Sequence, residues 1–192
     1  MTDKHFSFTD KLCFQLDTTL RTLFGKPQTT GRENPAKYIK EQDLTDIERR
    51  QSQGYMRINH CGEVCAQALY QGQALTARNE NIKDEMNRAA IEENDHLTWC
   101  QTRLTELNSH TSYLNSIWYL GSLALGTAAG IAGDKWSLGF LAETEKQVTA
   151  HLHSHLKTLP EKDKKSLAIV EQMAEDESEH AEKAIQAGAA EL

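Results

Sequence analysis

Glu-x-x-His occurs twice in this chain, as Glu93-Asn94-Asp95-His96 and as Glu177-Ser178-Glu179-His180. Each copy follows, by about thirty residues, a lone Glu: Glu63 before the first and Glu145 before the second. Residues three, four and seven apart share one face of a helix, so phase decides where these side chains point. Glu63 shares its face with Met56, Asn59, His60, Ala66, Tyr70 and Ala74, and is the only acidic residue between Glu48 and Glu80. Glu93 and His96 fall in line with Met86, Ala89, Ala90, Leu97, Cys100 and Leu104. Glu145 lies with Leu138, Leu141, Ala142, Val148, Leu152 and Leu156. Glu177 and His180 lie with Val170, Met173, Ala174, Ala181 and Ala184. Charged groups on four otherwise apolar stripes are costly unless something neutralises them. Four carboxylates and two imidazoles projecting from four helices into one interior form the ligand set of a dinuclear iron or manganese centre in a helical bundle.

The neighbouring acids fall on other faces. Glu92 runs with Glu85, Arg88 and Asp95, Glu143 with Lys146 and Gln147, and Glu179 with Glu175, Asp176, Glu182 and Lys183. These stripes read as solvated. Oxygen-rich ligation with one imidazole per metal suits iron or manganese better than copper or zinc. In such a site Glu93 and Glu177 would bridge the two ions, with Glu63 and His96 serving one and Glu145 and His180 the other. His60, Tyr70 and His151 are candidates for groups that contact the ligands, while His153 and His155 look exposed on a polar face.

The rest of the chain is consistent with one all-α domain. Its 192 residues are enough to bury a core, 26% of them are charged, only three are Pro, and no strand-like alternation occurs. Helices are predicted near 56–78, 81–109, 113–132, 136–158 and 162–187, the last opened by Pro160 and Glu161. Residues 1–50 read as an N-terminal arm and 51–192 as the bundle. In the arm, Phe8, Leu12, Leu16, Leu20, Leu23 and Phe24 recur at helical spacing, with Ser7 or Thr9 as the cap and Gly25 and Pro27 as the stop. A short helix or turn is expected around Asp43–Arg50. Residues 114–133 carry no charge and hold Gly121, Gly126, Gly130 and Gly133. Their length admits a buried helix, a helix lying at a membrane surface, or a span. The small residues at 126 and 130 would let another helix or a lipid tail approach the backbone.

The net charge of −7 argues against nucleic acid as a partner. The four cysteines, Cys13, Cys61, Cys65 and Cys100, form no Cys-x-x-Cys pair and are expected to be reduced. No signal peptide is read at the start, and no Gly-x-Gly-x-x-Gly loop offers a nucleotide site.

The segment Arg57-Ile58-Asn59-His60-Cys61-Gly62-Glu63-Val64-Cys65-Ala66-Gln67-Ala68-Leu69-Tyr70 resembles the first ligand helix of the demethoxyubiquinone hydroxylases. The segments around Glu93-Asn94-Asp95-His96-Leu97, Glu145-Lys146-Gln147-Val148 and Glu177-Ser178-Glu179-His180 are similar to that family's other three in order and spacing. The resemblance covers about residues 55–185 and includes all six ligand positions. It implies a ferritin-like four-helix bundle with an additional apolar helix and a helical arm. It also implies two iron ions, and O₂-dependent hydroxylation of the ring of a polyprenylated demethoxyubiquinol in the penultimate step of ubiquinone synthesis. Its further implications are an electron donor, with NADH as one candidate, and attachment to the cytoplasmic side of a bacterial membrane through the arm and residues 114–133. Association with other proteins of that synthesis, or with further copies of the chain, is also expected. Two rival functions are iron oxidation or peroxide scavenging, as in ferritin- and rubrerythrin-like proteins, and a non-enzymatic scaffold role.

Overall fold

The computed structural model describes residues 7–192, apart from the side chains of Phe8, Lys11, Leu12 and Glu85. The first six residues of the expected arm, the side chains of Phe8 and Leu12 in its apolar stripe, and the side chain of Glu85 therefore lie outside the described residues. Six helices and no strand occur among them: α1 Phe8–Phe24, α2 Asp46–Thr76, α3 Glu80–Glu106, α4 Asn115–Ala132, α5 Asp134–Thr158 and α6 Lys164–Gln186.

Local chemistry fixes most of the boundaries. Ser7 and Asp10 cap α1 reciprocally, and Gly25 ends it. Thr45 and Glu48 form the same capping box at the start of α2. That box explains one difference from expectation: the short helix foreseen around Asp43–Arg50 and the helix foreseen at 56–78 are a single helix of 31 residues. Residues 46–50, placed in the arm by their sequence, are its opening turn. Asn79 caps α3. The last helix begins at Lys164, later than Pro160, because the Asp163 side chain takes the Ser166 amide and sets the first turn there.

Two helical hairpins, α2–α3 and α5–α6, form the four-helix core, and α4 is the crossover between them. Each hairpin carries one lone Glu and one Glu-x-x-His. Apolar layers fill the bundle on either side of a polar middle. One layer contains Met56, Cys100, Leu104, Leu152, Val170 and Met173. The other contains Tyr70, Ala74, Met86, Ala90, Leu138, Ala142 and Ala184. In helix register the six candidate ligands fall between these layers.

The crossover packs one face on α2 at backbone distance. A Cβ added at Gly126 would lie 2.2 Å from the Leu69 carbonyl oxygen, and one at Gly72 2.5 Å from that of Leu123. Glycine on both helices is thus a condition of this contact, and the neighbour admitted at Gly126 is helix α2. The opposite face of α4 is open: Ile117, Trp118, Leu120, Leu125 and Ile131 are exposed, Leu120 to 62%. No described helix is long and apolar enough to cross a membrane. Helix α1 packs on α2 and touches α4 where its Thr19 hydroxyl lies 2.9 Å from that of Tyr119.

A buried cation ties the connection 25–45 to the bundle. Arg103, 1% exposed, donates to Asp163 (2.7 Å), Glu41 (2.6 Å), Glu106 (2.8 Å) and the Ser166 hydroxyl (3.0 Å). Three carboxylates around one guanidinium keep the buried charge neutralised.

Candidate metal centre

All six residues singled out from the sequence are buried in the middle of the bundle: Glu63 on α2, Glu93 and His96 on α3, Glu145 on α5, and Glu177 and His180 on α6. Ligand atoms of Glu63, Glu93, His96 and Glu177 all lie within 4.8 Å of one another. Nδ1 of His96 is 3.2 Å from Glu93 Oε2, 3.1 Å from Glu177 Oε1 and 3.5 Å from Glu63 Oε2. On the other side, Nδ1 of His180 is 3.1 Å from Glu93 Oε1 and 3.1 Å from Glu177 Oε2. Glu93 and Glu177 therefore each offer one oxygen to each imidazole, as carboxylates shared between two ions would. Glu145 faces the group from α5, and its Oε1 accepts a 2.8 Å hydrogen bond from the Tyr70 hydroxyl.

The far ring nitrogens have carboxylate partners of their own. Nε2 of His96 is 2.8 Å from Asp176 Oδ2, and Nε2 of His180 is 2.8 Å from Glu92 Oε2. Each partner is the residue immediately before the opposite Glu-x-x-His, so the two halves of the site reproduce one another. An acceptor at Nε2 fixes the tautomer that leaves Nδ1 as a ligand, and it makes the imidazole more basic. Asp176 corrects the sequence reading, which put it on a solvated face, while Glu92, 36% exposed at its side chain, keeps a solvated edge as its Oε2 reaches His180. The α3–α6 packing brings those edges together, leaving Asp176 only 12% exposed at its side chain. Asp95, placed on the same solvated stripe, is buried at 1% and accepts hydrogen bonds from Thr30. The signal for the missed pair was the acid preceding each motif, legible only once the two motifs were known to face each other.

Burial pushes the Glu63 carboxyl well above the usual carboxylate range, and the charges of Glu93 and Glu177 push it the same way. Burial does the same to Glu145, again reinforced by Glu177 and Glu93. For Glu93 burial acts upward too, but hydrogen bonds from His180 and His96 outweigh it and hold this carboxyl low. Burial pushes His96 down, and hydrogen bonds to Asp176, Glu177, Glu63 and Glu93 more than reverse it. Concentrated negative charge of this kind calls for cations.

The donor set fits a pair of oxygen-preferring divalent ions. Two buried carboxylate oxygens, Glu63 Oε2 and Glu93 Oε1, have no hydrogen bond of good geometry, which is costly unless a cation meets them. Four glutamates would balance the charge of two such ions.

Of the three residues considered as contacts to the ligands, Tyr70 makes one, through Glu145. Burial holds the Tyr70 phenol well above its ordinary pKa, so it stays a donor. His60 is buried one turn before Glu63; its Nδ1 has no hydrogen-bond partner, and burial lowers its pKa to about 4. His151 is exposed, its ring edge-on to His155 at 4.1 Å rather than turned toward the carboxylates. His155, expected on a polar face, is 3% exposed and bonds Asn59 Oδ1 through Nδ1 at 2.7 Å. At about 100° per residue, position 151 lies roughly 120° round the helix from Glu145 and position 155 roughly 80°. The helix therefore swings 151 outward and brings 155 onto α2. The four cysteines are free, and Cys100 is buried with its sulfur 3.6 Å from that of Met173.

A narrow apolar cavity between α3, α5 and α6 leads to the His180 side of the group. Tyr70, Met86, Leu138, Leu141 and His180 line it.

The sequence matches the family model described as "Ubiquinone biosynthesis protein COQ7" over residues 50–192. A protein of Legionella pneumophila (strain Corby) named 3-demethoxyubiquinol 3-hydroxylase is 57% identical over 187 residues, covering 97% of this chain and 88% of its own. One of the same name from Nitrosococcus oceani is 54% identical over 192 residues, 100% of this chain and 90% of its own. A third, from Chromobacterium violaceum, is 57% identical over 183 residues, 95% and 88% respectively. With its two facing Glu-x-x-His helices inside the matched region, this chain belongs to the COQ7 family of ubiquinone biosynthesis proteins.

Proposed function

We propose that this chain is a di-iron monooxygenase that hydroxylates the benzoquinol ring of polyprenylated demethoxyubiquinol, the penultimate step of ubiquinone synthesis. The observation that carries the reading is the placement of Glu93 and Glu177, each with one oxygen toward His96 and the other toward His180. Glu63 and His96 would complete one iron site, and Glu145 and His180 the other. Two ferrous ions bound there supply the electrons and open coordination positions that O₂ activation needs. Per turnover the reaction consumes one O₂, two electrons in all and two protons, placing one oxygen on the ring and releasing the other as water; a donor then replaces the two electrons. Those electrons would come from the quinol itself or from an outside donor, with NADH as one candidate, acting directly or through a partner.

The protein's own groups hold this chemistry in place. Asp176 and Glu92 keep both imidazoles presenting Nδ1 inward. Tyr70 holds Glu145 in orientation. Met86, Leu138 and Leu141 line the small cavity on the His180 side and keep its surroundings apolar. The helices from α2 onward act as the catalytic bundle, with α1 and the connection 25–45 as an arm beside it. A long-tailed quinol lives in a bilayer, and the exposed apolar residues of α1 (Phe14, Leu20, Phe24) and α4 (Ile117, Leu120, Leu125) supply a face for the membrane surface. The working location is peripheral, on the cytoplasmic side of a bacterial membrane, in company with other enzymes of the synthesis.

The test is to remove one shared carboxylate and one imidazole separately. Glu93→Ala and His180→Ala are each expected to lose stoichiometric iron binding and ring hydroxylation together while remaining helical. Hydroxylation surviving in either variant would contradict the reading.

A further inference from the structure

The connection between α1 and α2 lies against the metal centre from outside, and its contacts are specific. The backbone amide of Thr30 donates to Asp95 Oδ1 at 3.0 Å, and the Thr30 hydroxyl donates to the same carboxylate. The side-chain amide of Asn94 donates to the Gln28 carbonyl at 2.8 Å. Asn94 and Asp95 are the two middle residues of the first Glu-x-x-His, and both are buried. The connection is thus pinned to the backbone turn that aims Glu93 and His96.

From this anchored segment Arg32 reaches across to α6. Its Nη1 donates to Asp176 Oδ2 at 2.7 Å and its Nη2 to Oδ1 at 3.1 Å, a two-pronged grip on the carboxylate. The guanidinium also rests over the ring of Trp99, 5.2 Å from its centre, and Trp99 is 3% exposed. Asp176 Oδ2, the oxygen that Nη1 grips, is the one that meets His96 Nε2 at 2.8 Å. A surface ion pair usually contributes little. This one is bidentate, stacked on a buried indole, and shares its acceptor atom with a candidate ligand.

We propose that Arg32 is a positioning residue of the metal centre, acting on His96 through Asp176 and thereby setting how tightly the His96 half of the site holds its ion. The inference rests on the metal reading above. It also extends the functional unit beyond the matched family region, since Arg32 precedes residue 50. The physical reason is geometric. A carboxylate held at both oxygens cannot rotate away from Nε2, so the imidazole keeps the tautomer and ring angle that its ion needs.

The experiment is an anaerobic ferrous ion titration of the full-length metal-free protein against a competing chelator. It compares the wild type, Arg32→Gln, Arg32→Lys, Asp176→Asn and the double variant Arg32→Gln/Asp176→Asn. The wild type should take up two equivalents. Arg32→Gln should weaken one equivalent by about tenfold, the low end for groups that orient ligands, and leave the other unchanged. Arg32→Lys keeps the charge without the fork and should fall between, which serves if the Gln variant folds poorly. In the Asp176→Asn background Arg32→Gln should add nothing, because the two act in series. Equal weakening of both equivalents, unchanged or tighter binding, or additive effects in the double variant would overturn the proposal. A wild-type chain that takes up two equivalents with no response to Arg32 sinks this inference alone. One that takes up no iron sinks the metal reading and this inference together.

Discussion

Glu63, Glu93, Glu145 and Glu177, each 3% exposed or less, stay ionised in the interior only beside cations, and the rings of His96 and His180 stand among them. The groups behind those rings matter as much as the ligands. Glu92→Gln keeps the size of the side chain but weakens the acceptor at His180 Nε2. It should cost about 10- to 100-fold in affinity for one iron equivalent, read by the same chelator competition. His60 gives a separate, pH-dependent signature. Its pKa of about 4 in the folded chain lies below the ordinary histidine value of 6.5 because burial opposes its charge. Stability from this group is therefore complete above about pH 6.5 and is lost as pH falls toward about 4, where the unfolded chain takes up the proton first. The loss can reach about 3 kcal/mol. In metal-free protein, denaturant unfolding between these pH values should fall more steeply for the wild type than for His60→Leu. Parallel slopes would contradict that account.

The four core helices and their inward stripes were legible because Glu63, Glu93, Glu145 and Glu177 each interrupt an apolar run of helical period. The Thr45–Glu48 capping box was there to be read as well, and passing over it split α2 in two. Other features depend on packing between distant elements, which periodicity within one helix cannot reveal. Asp176 and Glu92 belong to this class, as does Arg103, whose partners Glu41 and Asp163 lie about sixty residues away on either side. Crossover helix α4 combines both kinds: its lack of charge was plain, but only the fold shows one face seated on α2 and the other bare. That seat depends on Gly126, where a side chain would meet the Leu69 backbone. Gly126→Val should force α4 off α2 and cost about 1–3 kcal/mol or more in thermal or denaturant unfolding. A variant as stable as the wild type would mean the helices part without penalty.

At the scale of the molecule, two pseudo-equivalent hairpins enclose the site, and the arm and α4 cover one flank with apolar side chains turned outward. The proposed division of labour, chemistry inside and lipid outside, separates by mutation. Ile117→Glu combined with Leu120→Glu changes only exposed positions. It should reduce sedimentation with anionic lipid vesicles and slow turnover of a long-tailed quinol, while a short-tailed soluble analogue reacts at the wild-type rate. Equal loss with both substrates would place the effect in the bundle instead. The central claim is that the buried Glu and His cluster, loaded with iron, puts an oxygen atom from O₂ onto a quinol ring. Single turnover tests it most directly: wild-type protein loaded with two ferrous ions, short-tailed demethoxyubiquinol, vesicles present, ¹⁸O₂ admitted, and the product weighed by mass spectrometry. The account predicts one labelled oxygen on the ring. Iron that oxidises while the quinol remains unmodified, or a product whose new oxygen is unlabelled, would contradict it.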